Sequence, residues 1–113
     1  MKEIKAIIQP FLISKVVEAL KLIPGLPGLT VSEVRGFGRA QAVGAVNTVT
    51  EDAVEYVKKS KLELVVPDEM AEKVVEAIQR NAHTGNPGDG KIFIYQVDDV
   101  VRIRTGEHGE GAI

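Results

Sequence analysis

The strongest constraint on the fold is that the chain repeats itself. "IKAIIQP" at Ile4 to Pro10 corresponds to "LELVVPD" at Leu62 to Asp68, and "VVEAL" at Val16 to Leu20 corresponds to "VVEAI" at Val74 to Ile78, both at an offset of 58 positions. A single V-V-E-A match is a common helical string, but a second match at the same offset ties the two halves to one plan. In each half a β-branched run of strand character passes a proline and enters a segment with apolar residues at helical spacing. Val16, Val17, Leu20 and Ile23 share one face in the first half, and Met70, Val74, Ile78 and Ala82 in the second. Pro10 and Pro67 mark the passage from strand to helix, and Pro24 with Gly25 closes the first helix.

A further strand-like run follows each helix, "LTVSEVRGFG" at Leu29 to Gly38 and "KIFIYQV" at Lys91 to Val97. The order β-α-β twice over predicts an α+β protein, a ferredoxin-like split βαβ (βαββαβ) antiparallel sheet with two helices on one face. A C-terminal strand is expected over "DVVRIRT", Asp99 to Thr105, extending the sheet or pairing with a neighbouring subunit. The segment between Gly38 and Lys61 has no decisive period. There Thr50 caps a short helix through Val57, or "VEYV" is one arm of a hairpin. A connection of this length in a compact domain is usually functional or mobile.

Its 113 residues make one domain, 44% apolar and 27% charged, with no tryptophan, so the core must be aliphatic. The absence of cysteine excludes disulfides, thiolate catalysis and thiolate metal sites, and suits a cytoplasmic location. No apolar run reaches the roughly 18 residues needed to span a bilayer, and the first ten residues do not read as a signal peptide. A net charge of −2 gives no basis for nucleic acid as the main partner.

Chemistry concentrates in "TGNPGDGKIFIY", Thr84 to Tyr95. Gly85, Gly90 and Lys91 fit G-x-x-x-x-G-K of the phosphate loop, but Ile92 stands where Ser or Thr would hold Mg²⁺. The order is also reversed, since this loop follows a helix and precedes a strand. Taken alone it is either an anion site or a helix stop and turn. Arg102 and Arg104, two apart on the expected strand, would present both guanidinium groups on one face to a phosphate, the alternative being an ion pair with Asp98, Asp99 or Glu107. "RGFGR", Arg35 to Arg39, adds a third basic, glycine-bearing site, and the three together favour a polyphosphate ligand. His83 and His108 have no ligand at metal-binding spacing, and no nucleophile–base pair is evident.

The ordered set "IKAIIQPF", "LTVSEVRGFGR", "KLELVVPDE", "TGNPGDGKIF" and "VRIRTGE" resembles the P-II nitrogen-regulatory signalling family over almost the whole chain outside the long loop. The resemblance implies a homotrimer that binds an adenine nucleotide (ATP or ADP, with AMP a further candidate) between subunits. It also implies a long effector loop, about residues 39–59, whose positions 40–58 contact an unassigned target protein, a transporter or a metabolic enzyme. Carried over by position, Thr84, Gly88, Asp89, Gly90 and Lys91 surround the nucleotide phosphates, and Arg102 and Arg104 reach them. Gly36, Phe37, Gly38 and Arg39 line the cleft from the other subunit, and Ile7, Thr30, Glu63 and Leu64 cradle base and ribose. Lys59 matches the lysine that helps bind 2-oxoglutarate in the family.

Departures from the family pattern are specific. Ala40 stands where the family has the glutamine that coordinates Mg²⁺ and 2-oxoglutarate, and Gln41 lies one place late. An alanine methyl ligates no metal, so Mg²⁺ and 2-oxoglutarate lose an expected ligand. Asp52 replaces the modified tyrosine, which excludes uridylylation or adenylylation there. The pattern resembles a divergent branch, some members of which are encoded beside metal-efflux transporters. An enzyme reading, a slow ATPase or phosphotransferase in the same cleft, conflicts with Ala40 and Ile92.

Overall fold

A computed structural model describes residues 1–38, 48–51 and 54–113. The described elements are β1 (Lys2–Ile8), a 3₁₀ turn (Pro10–Leu12), α1 (Ile13–Lys21), β2 (Thr30–Gly36), β3 (Thr48–Glu51), β4 (Val54–Val66), α2 (Asp68–Ala82) and β5 (Gly90–Gln96), with a last 3₁₀ turn at Glu110–Ala112. The main sheet runs β2-β4-β1-β5 with every neighbouring pair antiparallel, and β3 pairs with the outer half of β4. This is the α+β ferredoxin-like arrangement that the repeat predicts.

The 58-residue offset is written into the core. Ile4, Ala6 and Ile8 of β1 are buried, and so are their counterparts Leu62, Leu64 and Val66 of β4; Val16 and Leu20 of α1 are buried, and so are Val74 and Ile78 of α2. Alternate strand residues meet one stripe of each helix because the strand period is two and the helical period 3.6. α2 starts after Pro67, carries Asp68 and Glu69 in its first turn and Arg80 in its last, and so matches its charges to the helix dipole. α1 ends at Lys21, earlier than Pro24 and Gly25.

β4 is the spine of the molecule, 13 residues or about 43 Å long. Its second half belongs to the core, whereas Val54 to Val57 pair with Thr48 to Glu51 outside it. Of the two readings of this region, "VEYV" as a hairpin arm is therefore the one realised, and the stretch expected as loop is strand over 48–51 and 54–59. Arg39, Ala40, Gln41 and Asp52 lie outside the described residues.

The expected C-terminal strand over Asp99 to Thr105 is not formed. Only an isolated antiparallel bridge joins Val101 to His108, and Arg102 enters a turn closed by the Gly106 N–H on the Arg102 carbonyl at 2.7 Å. The reason is local: Gly106 takes φ +74°, and the Thr105 hydroxyl accepts the Glu107 N–H at 3.2 Å, so the chain reverses before a strand can propagate.

Candidate functional site

The Thr84–Lys91 loop is built around one carboxylate. Asp89 accepts the N–H groups of Thr84 at 2.7 Å and Gly85 at 2.9 Å through one oxygen and the Thr84 hydroxyl through the other. The Thr84 hydroxyl in turn accepts the Asn86 N–H at 3.1 Å. Burial works to raise the Asp89 pKa, but these hydrogen bonds outweigh it and hold the carboxyl below its ordinary value. The loop thus has a fixed internal anchor where a glycine-rich turn alone would be soft.

Its far end is fixed to the sheet. Gly90 pairs with Ile8 and Lys91 with Ile7, and Gly90 has φ +103°, where an added Cβ would stand 1.7 Å from the Ile7 carbonyl oxygen. Between the two anchors, the Gly88 carbonyl accepts both the Gln9 side-chain amide at 2.9 Å and the Lys59 ammonium. In a trans peptide the C=O and the following N–H point opposite ways, so turning the Gly88 carbonyl into the sheet turns the Asp89 N–H out of the loop. Burial lowers the Lys59 pKa, and the Asp89 charge partly offsets this.

The structure thus brings Ile7 and Lys59 together with the Gly88–Lys91 run, which sets Ile7 apart from Thr30, Glu63 and Leu64, the residues it is grouped with by resemblance. The Lys91 side chain is exposed, with no hydrogen bond or ion pair to another described residue. Nothing in the local sequence pattern singles out Gln9. Its only signal is its place directly after β1, opposite the entry of the loop into β5.

The other expected residues form a second group, toward the opposite edge of the sheet. Thr30 on edge strand β2 pairs with Glu63 on β4, and both line an open recess of about 310 Å³ with Glu3, Val100 and Ile113. Leu64 borders it too, but its side chain is in the core, which leaves its main-chain atoms for a ligand. Arg102 belongs to this group. It binds Glu107 at 3.0 Å and the carbonyls of Gly111 at 3.2 Å and Ile113 at 3.5 Å, so the ion-pair alternative holds for it in this chain. Because the segment is a turn, Arg102 and Arg104 do not share a strand face; Arg104 is exposed and unpaired among the described residues. Gly36 ends β2, and Phe37 and Gly38 beyond it are exposed.

One chain thus carries two separate groups of these residues, the Thr84–Lys91 loop entering edge strand β5 and a recess reaching edge strand β2. About three strand spacings, roughly 14 Å, separate those edges. No group of three or more His, Cys, Asp or Glu residues among those described is placed to hold a metal. No helix among them is long and apolar enough to cross a membrane.

Comparison with known proteins follows the same lines. The family model described as "Nitrogen regulatory protein P-II" matches residues 1–107. The nitrogen regulatory protein P-II of Rhodospirillum rubrum is 49% identical over 113 residues, all of both chains, and P-II 1 of Escherichia coli K12 is 47% identical over the same extent. A crystal structure of Arabidopsis thaliana PII bound to citrate superposes with a TM-score of 0.80 at 42% identity, covering 99% of this chain and 91% of that one.

Proposed function

This chain belongs to the nitrogen regulatory protein P-II family, and it is a regulator rather than an enzyme; on that premise we propose that it binds ATP or ADP between the subunits of a homotrimer and signals the bound state to a target protein through residues 40–58. The observation that carries this reading is the division of the site. The loop group presents an outward N–H and Lys91, groups that suit phosphate. The recess group presents Thr30, Glu63 and the main chain of Leu64, groups that suit a base and a ribose. Neither half encloses a nucleotide, and a neighbouring copy whose recess faces this loop completes it. The apolar edge supports such an assembly: Phe93, Ile94 and Tyr95 of β5 are 39%, 55% and 42% exposed.

Signalling then requires that ATP and ADP favour different conformations of the target-facing segment, because a ligand that binds two states equally shifts nothing. The long β4, anchored in the core at one end and reaching the target segment at the other, gives the physical connection. Lys59 lies on that strand and touches the anion loop, which makes it the residue at which an acidic effector acts.

Calorimetric titration with ATP, ADP and AMP, each with and without 2-oxoglutarate, tests the reading. Binding of at least one adenine nucleotide by a trimer of about 37 kDa in light scattering is the expected result. A protein that binds none of the three overturns it.

A further inference from the structure

We propose that Gln9 is a positioning residue for the anion loop: its side-chain amide keeps the Gly88 carbonyl turned into the sheet when Lys59 leaves that carbonyl for a ligand. The inference deepens the nucleotide reading above and rests on it.

Two donors of different character share one acceptor. A carbonyl oxygen has two lone pairs and accommodates both. The Lys59 ammonium sits on a long flexible stem, and a charge-assisted bond to a phosphate or carboxylate is stronger than its bond to a neutral carbonyl. An arriving anion therefore draws it away. Gln9 has no such choice. Its amide is neutral, its backbone is extended (φ −64°, ψ 133°) as the following Pro10 requires, and its own carbonyl accepts the Leu12 N–H at 3.1 Å. The 2.9 Å bond to Gly88 is thus delivered from a fixed point at the end of β1.

With Lys59 as sole donor, ligand capture would leave the Gly88 carbonyl unpaired and free to rotate, carrying the Asp89 N–H away from the anion. With Gln9 in place, the loop keeps its shape in both positions of the lysine. Sensing by Lys59 and phosphate holding by the loop are thereby made separable in one small site.

The test uses the isosteric Gln9→Glu, which replaces the donor by an acceptor facing the Gly88 oxygen, alongside Gln9→Ala and Gln9→Lys, the last of which restores a donor. ATP titration of the intact trimer is expected to show about a three- to tenfold weaker Kd for Gln9→Glu and Gln9→Ala, with Gln9→Lys recovering most of the loss. Combining Gln9→Ala with Lys59→Ala should cost about the product of the two single effects, since in the bound state Gln9 holds the carbonyl and Lys59 holds the ligand. Thermal melting separates positioning from folding: the single variants should melt with the wild type. Unchanged ATP affinity in Gln9→Glu and Gln9→Ala, beside a wild type that binds ATP, overturns the role of Gln9 alone. Loss of affinity that tracks loss of melting temperature without rescue by Gln9→Lys overturns it equally. A wild type that binds no adenine nucleotide overturns the nucleotide reading and this inference with it.

Discussion

At Gly90 the phosphate-loop spacing and the sheet meet, and the requirement for glycine there is steric as well as conformational. Its φ of +103° disfavours any side chain, and the Ile7 carbonyl fills the space a Cβ would take. Gly90→Ala should therefore cost about 3 kcal/mol or more, read as a fall in the urea midpoint, and should perturb the amide signals of Ile7 and Ile8. An unchanged midpoint would show that β1 yields without cost. Asp89 makes a different prediction, because its contribution depends on charge. Its folded pKa lies below the ordinary value, so its contribution is complete above the unfolded value near 3.9 and is lost as pH falls through the folded one. Amide exchange at Thr84 and Gly85 should be faster in Asp89→Asn than in wild type at pH 7. The difference should narrow as pH falls below the ordinary carboxylate range and through the lowered folded value, after correction for intrinsic exchange; a gap that stays constant over that fall would assign the effect to shape. The glycines and lysine of this loop were legible from spacing. The hydrogen bonds that give it a fixed form were not, because Gln9 and Lys59 reach Gly88 across sequence separations of 79 and 29 that only strand register brings together.

Among the elements, the repeat marks out β1, α1, the core half of β4 and α2, and the runs after each helix mark β2 and β5, because each is held by a local period; the C-terminal segment is a turn where its residues suggest a strand. Val101 and Ile103 alternate with Arg102 and Arg104 well enough for one, yet Thr105-Gly106 is turn chemistry, and Ile103 ends fully exposed at the tip. What holds the turn is a clasp: His108 Nδ1 lies 2.7 Å from one Asp99 oxygen, and the other accepts the N–H groups of Val100 at 2.9 Å and Gly109 at 3.0 Å. The His108 contact is the chief cause holding the Asp99 carboxyl below its ordinary value. By the same sign as for Asp89, the clasp is intact above the ordinary carboxylate range and opens as pH falls through the lowered value. Asp99→Ala should speed exchange of the Gly109 amide at neutral pH and leave the amides of β1 and β4 unchanged. Equal protection in the variant would mean that the Val100 carbonyl, which also accepts the Gly109 N–H at 2.9 Å, holds that amide unaided. The hairpin of β3 and β4 shows the opposite limit of sequence reading. "VEYV" carries strand-forming residues but no period long enough to exclude a helix, and pairing with Thr48 to Glu51 decides it.

For the whole molecule, the proposed division of the ligand site between two opposite sheet edges makes a prediction about assembly that no single-chain property can imitate. The core is complete without a partner, as the buried set shared between the two repeats shows, and Leu20→Ala or Ile78→Ala should each cost about 2–5 kcal/mol in urea unfolding whatever the state of the site. On the proposed reading the site is not complete in that sense. Lys91 belongs to the loop half, and Arg104 to the segment whose tail lines the recess. Lys91→Ala and Arg104→Ala should each weaken ATP binding by about tenfold or more, as expected for loss of a charge-assisted bond. Each variant alone leaves every cleft damaged, whether the cleft lies within one chain or between two. Mixing separates the cases. If the two variants are unfolded together and reassembled at equal concentrations, random trimers with cyclic symmetry contain clefts that join an intact loop from one parent to an intact arginine from the other. Those clefts make up about one quarter of all clefts, and titration of the mixture should recover about that fraction of tight sites. A site confined to one chain would recover none, because every chain in the mixture still carries one lesion. The recovered fraction therefore measures, without a structure of the complex, whether the loop of one subunit and the arginine of its neighbour hold the same nucleotide.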